Sequence, residues 1–135
     1  MQKMLFVIAL VVALVALIKL ILALKIQRRL GRVAPDIREF LGRAPDPGER
    51  LLVYLHSQHC TACKPMTPLI NAMRTKDDNV LSIDIAAQPQ LARDFGIMVT
   101  PTVVIIENNN ILAMHTGTLN QKQLDTMLQP VTADA

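Results

Sequence analysis

The sequence is poor in aromatic residues and in cysteine. It contains no tryptophan, one tyrosine and three phenylalanines in 135 residues, so side chains on which nucleic-acid bases could stack are scarce. Its two cysteines, Cys60 and Cys63, exclude a secreted scaffold held together by several disulfides. A bridge between such close residues adds little to folding, because the stabilisation by a cross-link grows with the loop it closes. A disulfide between these two cysteines is therefore better suited to redox chemistry than to stabilising the fold.

Acidic residues are absent before Asp36, whereas six of the fourteen basic residues lie within the first 32 positions. The first 32 residues carry a formal charge of +6, and the remainder, with eight basic and eleven acidic residues, carries −3. The sequence pI of about 9.1 therefore describes the N-terminal segment. We expect no nucleic-acid binding by the rest of the chain.

The N-terminal segment contains one long apolar run. Residues Met4 to Leu24 are apolar except for Lys19, and as a helix they would reach roughly 31 Å, enough to cross the hydrocarbon core of a bilayer. Lys19 lies near the end of the run, where its ammonium can reach the interface. We predict that residues 1–30 form a single-pass anchor with a basic flank in the cell membrane. A cleaved signal peptide is the alternative, but no small-residue cleavage pattern follows the run.

The facing of the remaining chain is predicted from the charges beside this run. Lys3 alone precedes it, whereas Lys25, Arg28, Arg29 and Arg32 follow it. The positive-inside rule places the more basic flank in the cytoplasm, and the same cluster suits anionic headgroups. A periplasmic or other extracytoplasmic facing stays open, because few charges are being compared.

The rest of the sequence divides into a linker with a short helix, residues 31–50, and one domain, residues 51–135. The helix is predicted in PDIREFLGR, with Pro35 at its start. The domain is predicted to begin with a buried strand at Leu51–Leu55, followed by a helix that carries Met66, Leu69, Ile70 and Met73 on one face. A second strand at Val80–Ile85 and a helix closed by Gly96 come next. A hairpin that turns on ENNN and a final helix between Asn120 and Pro130 complete the domain.

This order of elements predicts an α/β fold with a central mixed sheet and helices on both faces. In such sheets chemistry gathers at the carboxyl ends of the strands, and Cys60 follows the first strand at the start of the next helix. A helix start favours the thiolate, which is the attacking form. We predict Cys60 as the accessible nucleophile and Cys63, one turn further on, as the shielded resolving thiol.

Residues from about Leu51 to Gln129 resemble the thioredoxin-fold family. The likeness is carried by CTACK at Cys60–Lys64, by Pro68, by FGIMVTPT at Phe95–Thr102 and by Gly117. The resemblance implies a thioredoxin-like fold in which Pro68 kinks the active-site helix. It also implies a cis peptide bond before Pro101, facing the cysteines, and a loop in which Thr100 and Pro101 pair their main chain with the substrate. No cofactor is expected.

Several positions depart from the family pattern. His59 replaces the usual tryptophan, Thr61 and Ala62 replace the usual Gly-Pro, and Tyr54 stands where thioredoxins have a buried acid. The family's first strand is not recognisable before Pro35, and the helix after the cysteines looks several residues shorter. We expect His59, Thr61, Ala62 and Lys64 to modulate the redox poise. As imidazolium His59 would stabilise the Cys60 thiolate, and as a plain surface residue it would have no effect.

A metal-binding or metallochaperone module is the main alternative. His56, His59, Cys60 and Cys63 form a compact set of nitrogen and sulfur ligands that suits zinc or copper. Against it, His56 ends a strand, His59 lies in a turn, and the spacing is tighter than in the usual zinc sites. We therefore expect no metal here. A redox-inactive thioredoxin-like interaction domain is a third reading.

The function predicted from the sequence is a membrane-tethered thiol–disulfide oxidoreductase. Its expected partners are the lipid bilayer, protein disulfides that are themselves membrane-associated, and a redox-recycling partner. A cytoplasmic domain should act as a reductant, because that compartment keeps thiols reduced. An outward-facing domain would need electrons delivered across the membrane or would serve as an oxidant.

A reporter fused to the carboxyl terminus should be active in the cytoplasm, because the more basic flank follows the apolar run. Paired fusions to a reporter active only in the cytoplasm and to one active only outside it would measure the facing. Activity confined to the second fusion would contradict the cytoplasmic assignment.

Overall fold

The computed structural model describes residues 1–29 and 31–129, apart from the side chains of residues 22, 23 and 25–29. The chain forms two compact units, one comprising Met1–Arg32 and one beginning at Val33. Each unit is described by itself below. The predicted basic side chains at positions 25, 28 and 29 and the predicted helix stop at Pro130 lie outside the described residues.

The first unit is helix α1, Gln2–Arg29. Its stretch Gln2–Ile21 is long and apolar enough to cross a membrane, and a signal sequence would satisfy the same criteria of length and composition. Apolar side chains along it, such as Phe6 and Leu10, are exposed. The membrane anchor thus stays a prediction, for which this helix has the required length.

In the second unit, the described residues 33–129 form four α-helices and four strands in the predicted order. Between β1 and α3 lies a short 3-10 helix, Thr61–Cys63. The elements are α2 Arg38–Leu41, β1 Arg50–His56, α3 Thr67–Arg74, β2 Val80–Asp84, α4 Pro89–Phe95, β3 Thr102–Glu107, β4 Asn110–Thr116 and α5 Gln121–Leu128.

The strands form one mixed sheet in the order β2-β1-β3-β4. β1 pairs in parallel with β2 and antiparallel with β3, and β3 pairs antiparallel with β4. Among the described residues before α2, Val33 makes only an isolated bridge with Asn110, so the family's first strand is not formed there. The predicted mixed sheet is confirmed.

The sheet separates two layers of core. Successive side chains of a strand point to opposite faces, so β1 contributes to both layers. Leu51, Val53 and Leu55 pack in the layer that contains Phe95 of α4. The opposite layer contains buried side chains from β1, the 3-10 helix, α3 and α5: Leu52, Tyr54, Cys63, Met66, Ile70, Met73 and Leu124. The apolar face predicted for the helix after the cysteines is thus buried, with Leu69 partly covered.

Helix α2 is shorter than predicted and begins at Arg38 rather than at Pro35. The Asp36 carboxylate accepts hydrogen bonds from the backbone N–H of Arg38 at 3.0 Å and from its guanidinium. These bonds lower the pKa of Asp36 to about 2. A local side-chain bond of this kind offers the backbone an alternative to the helix, which explains the late start.

The predicted hairpin is confirmed. Its turn also forms hydrogen bonds with the two loops on either side of α2. Asn108 and Asn109 have φ values of 49° and 63°, a left-handed conformation that asparagine tolerates and that tight hairpin turns require. The Asn109 carbonyl accepts the N–H of Ala34 at 2.8 Å. The Asn108 side chain accepts the N–H of Gly48 at 2.7 Å. The hairpin turn therefore fastens two loops at this end of the sheet.

The ends of two other helices follow the predicted signals. Gly96 ends α4 with φ of 71°, a conformation that suits glycine. Asn120 caps α5 in a reciprocal pair of hydrogen bonds with Gln123. Strand β2 ends at Asp84, one residue earlier than predicted, although the N–H of Ile85 still donates to the His56 carbonyl at 2.9 Å.

Candidate active site

The cysteine pair lies at the carboxyl end of β1, one of the two inner strands of the sheet. β1 ends at His56, and after a turn Cys60 caps the 3-10 helix, its sulfur 3.1 Å from the backbone N–H nitrogen of Cys63. Cys60 is half-buried, whereas Cys63 is only 3% exposed. This difference in burial is the arrangement expected for an accessible nucleophile and a shielded partner.

An α-helix does not begin at Cys60, contrary to the prediction. The 3-10 helix ends at Cys63, and α3 begins only at Thr67, with Pro68 in its first turn. Pro65 and Pro68 lack the N–H groups that a continuous α-helix from Cys60 would need. Pro68 therefore lies in the first turn of α3 and does not kink a longer helix, because a missing N–H costs no bond in the first turn.

Cys60 and Cys63 are joined by a disulfide, with their Cα atoms 5.3 Å apart. This separation is within the range of ordinary disulfides. The structure thus represents the oxidised form of the pair.

The loop before β3 reaches the same edge of the sheet as the cysteines. Leu55 of β1 is paired with Thr102 of β3, so the cysteine turn that follows β1 and the loop that precedes β3 leave the sheet together. The peptide bond between Thr100 and Pro101 is cis, as the resemblance implies. The Thr102 hydroxyl donates to the Val99 carbonyl at 2.7 Å.

Residues 38–130 match the family profile described as Thioredoxin, which covers more than half of the chain. The chain belongs to the thioredoxin family. Together with the Cys60–Cys63 pair, this membership supports the predicted enzyme class of thiol–disulfide oxidoreductase.

Individual thioredoxins show the extent of the likeness. Thioredoxin F1, chloroplastic, of Arabidopsis thaliana is 34% identical over 74 residues, which span 52% of this chain but only 42% of the plant protein. Probable thioredoxin-2 of Caenorhabditis elegans is 26% identical over 101 residues, or 73% of this chain and 70% of that one. The X-ray structure of Fasciola hepatica thioredoxin matches with a TM-score of 0.54 and 20% identity over 61% of this chain and 80% of its own, a likeness of fold alone.

Tyr54 occupies the position at which thioredoxins bury an acid, and it is fully buried here. Its hydroxyl donates to the Cys63 carbonyl at 3.2 Å and lies 3.1 Å from the Thr67 hydroxyl, which donates to the same carbonyl at 3.0 Å. Burial raises the pKa of Tyr54, outweighing the opposite effect of the Thr67 hydrogen bond. The group beneath Cys63 is therefore a neutral hydroxyl that holds the chain in place and does not accept a proton at neutral pH.

The two histidines near the cysteines have different surroundings. His56 is half-buried, and its ring stacks on Tyr54 with centroids 5.1 Å apart and planes inclined by 19°. His59 is exposed in the turn before Cys60. Among the described residues, no group of three or more His, Cys, Asp and Glu side chains is placed to hold a metal ion in this oxidised form.

The remaining predicted modulators lie on the exposed side of the cysteine turn. Thr61, Ala62 and Lys64 are all exposed. The Ala62 carbonyl accepts a long hydrogen bond of 3.5 Å from the Thr118 hydroxyl, which follows Gly117. The dipeptide between the cysteines is thus presented to solvent.

A groove of about 450 Å³ runs beside the disulfide on the side of β1 and α3. Both cysteines contribute to its wall. The other lining residues are His56, Ser57, Gln58, Lys64, Thr67 and Pro68.

Sequence reasoning missed two features of this site. Thr67 was not singled out, although a threonine four residues after Cys63 can donate to its carbonyl. Met98 and Val99, directly before the cis bond, are 92% and 58% exposed. Their exposure was hard to predict, because methionine and valine fit a buried segment equally well.

Replacing Thr67 by valine should lower the free energy of unfolding by about 1 kcal/mol, because the isosteric side chain cannot donate to the Cys63 carbonyl. Thr67→Ser keeps the hydroxyl and serves as the matched control. Urea denaturation of the oxidised chain in mild detergent, followed by Tyr54 fluorescence, would measure both. Equal stability of the two variants would show that this hydrogen bond contributes nothing.

Proposed function

We propose that this protein is a membrane-tethered thiol–disulfide oxidoreductase that reduces or exchanges disulfides of other proteins. The observation that carries the proposal is the Cys60–Cys63 disulfide at the carboxyl end of β1, beside the cis-proline loop of a thioredoxin fold. Nothing else in the described residues offers a comparable reactive pair.

In the reducing direction, the Cys60 thiolate attacks one sulfur of a substrate disulfide. A bond forms between Cys60 and that sulfur, and the other substrate sulfur leaves as a thiolate. The Cys63 thiolate then attacks the Cys60 sulfur and releases the second substrate thiolate. The substrate gains two electrons, and the protein becomes the disulfide form until a dithiol partner reduces it again.

The 3-10 helix supplies a donor for the nucleophile. The backbone N–H of Cys63 points to the Cys60 sulfur, 3.1 Å from the nitrogen. A donor in this position favours the thiolate over the thiol, because hydrogen bonds to the charged form lower a thiol's pKa. His59 lies next to Cys60 and would add to this effect when protonated.

The loop before β3 is the proposed substrate-binding surface. Thr100 and Pro101 would pair main chain to main chain with the segment that carries the substrate disulfide. Met98 and Val99 extend this surface with exposed apolar side chains. They favour substrates with apolar residues beside the reactive cysteine, since burying these side chains on binding removes apolar area from water.

Helix α1 is the proposed tether. It restricts the domain to the membrane surface and so raises its effective concentration near membrane-associated substrates. The facing decides the redox direction, because the cytoplasm keeps thiols reduced while outer compartments allow disulfides to persist.

Serine variants should separate the two sulfur roles. Cys60→Ser should abolish reduction of insulin, because no nucleophile starts the reaction. Cys63→Ser should also lose turnover but accumulate a covalent mixed disulfide with substrate, visible by mass spectrometry and reversed by a reductant.

Two outcomes would contradict this function. Full biological activity of Cys60→Ser would favour a redox-inactive interaction domain. Stoichiometric zinc in the freshly purified chain would favour the metal-binding alternative.

Met98→Ser should raise KM for a protein disulfide by up to about tenfold, the effect of losing roughly 1.4 kcal/mol of apolar contact. Its rate with a small aromatic disulfide, which does not reach the loop, should stay unchanged. Leu112→Ser removes another exposed apolar side chain, on β4, and is the control. An equal KM for both variants would exclude Met98 from substrate binding.

A further inference from the structure

The resolving thiol needs a proton acceptor that its buried surroundings do not provide. A thiol attacks only as its thiolate, and an ordinary cysteine is mostly protonated at neutral pH. Beneath Cys63 lie the hydroxyls of Tyr54 and Thr67, both engaged with the Cys63 carbonyl. Burial raises the pKa of Tyr54, so this pair does not take up the proton.

His56 lies on the same face of β1 as Tyr54. Side chains alternate along a strand, so Leu52, Tyr54 and His56 share the face that packs against Cys63 and α3. The imidazole stacks on the Tyr54 ring at 5.1 Å, which fixes the plane of the ring at the end of the strand. His56 thus stands directly above the residue that bonds to the Cys63 carbonyl.

His56 and both cysteines line the same groove beside the disulfide. The groove has a volume of about 450 Å³, which is large enough for ordered water. A general base can act directly or through one water molecule. Besides the cysteines and His56, Lys64 is the only titratable residue among the described ones that line this groove, and a lysine side chain donates hydrogen bonds but offers no acceptor for the proton.

One acidic residue lies on the strand beside His56. Asp84 of β2 is the cross-strand partner of His56, and its carboxylate accepts the backbone N–H of Ala86 at 2.9 Å.

We propose that His56 is the general base for the resolving step. The imidazole takes the proton of the Cys63 thiol, and the resulting thiolate attacks the Cys60 sulfur. The bond between Cys60 and the substrate breaks, the Cys60–Cys63 bond forms, and the departing substrate thiolate takes a proton from the imidazolium or from water. This inference rests on the roles proposed above for Cys60 and Cys63.

The two steps can be followed separately with 5,5′-dithiobis(2-nitrobenzoate) and the reduced full chain in mild detergent. Attack by Cys60 releases one coloured thiolate, and resolution by Cys63 releases the second. His56→Phe keeps an aromatic ring over Tyr54 but removes the proton acceptor. We expect its second phase to slow by at least about tenfold at neutral pH and to lose its pH dependence between about pH 6 and 8, with the first phase within about twofold of wild type.

His115→Phe is the matched control, because it removes an imidazole that does not line the groove, and both of its phases should match those of the wild type. A normal second phase in His56→Phe, or an equal slowing of both phases, would overturn the role of His56. His56→Gln gives a second non-titrating variant with the same expected result, should the phenylalanine variant not fold. A wild-type chain that releases only one thiolate would instead contradict the proposed function itself.

Discussion

The antiparallel pairing of β1 with β3 is the constraint on which the site depends. Every residue from Leu51 to Leu55 is buried, so this register is fixed by both core layers. A slip of one residue would turn each apolar side chain to the wrong face. Because Leu55 pairs with Thr102, the register also determines that the cysteine turn and the cis-proline loop meet at one edge. Core packing and the meeting of these two loops are thus set by the same hydrogen bonds.

The replacement of a buried acid by Tyr54 changes the chemistry beneath the cysteines without changing the fold. A buried carboxyl titrates and needs partners for its charge, whereas a phenol fills the same space and bonds to a carbonyl while remaining neutral. Here Tyr54 and Thr67 together hold the Cys63 carbonyl. In the role proposed for His56, the proton of the Cys63 thiol leaves through a side chain at the rim of the site and not through Tyr54.

Much of the fold could be predicted from the sequence, because its signals are local. The paired asparagines of the hairpin, Gly96 at the end of α4 and the Asn120 cap each follow from backbone preferences of one or two residues. The start of the active-site helix was predicted wrongly. The cysteine spacing suggests a helix from Cys60, but Pro65 and Pro68 delay it to Thr67.

The side-chain contacts within the site were harder to predict than its position in the fold. The cysteines, Thr100 and Pro101 carry recognisable motifs, and the structure brings them to one edge of the sheet. The bond between Thr67 and Cys63 and the stacking of His56 on Tyr54 have no motif, since they depend on how α3 lies against β1. The exposure of Met98 likewise depends on the path of a loop that no periodicity describes.

The hairpin turn that holds Ala34 determines where the thioredoxin-like unit receives its N-terminal connection. β3 runs from the reactive edge to this turn, a length of about 20 Å for six residues. The segment before α2 is therefore hydrogen-bonded at the end of the sheet opposite the disulfide. The segment at Val33 and Ala34 is thus joined to the sheet at the hairpin turn, and the end of the sheet that carries the cysteine turn stays clear of it.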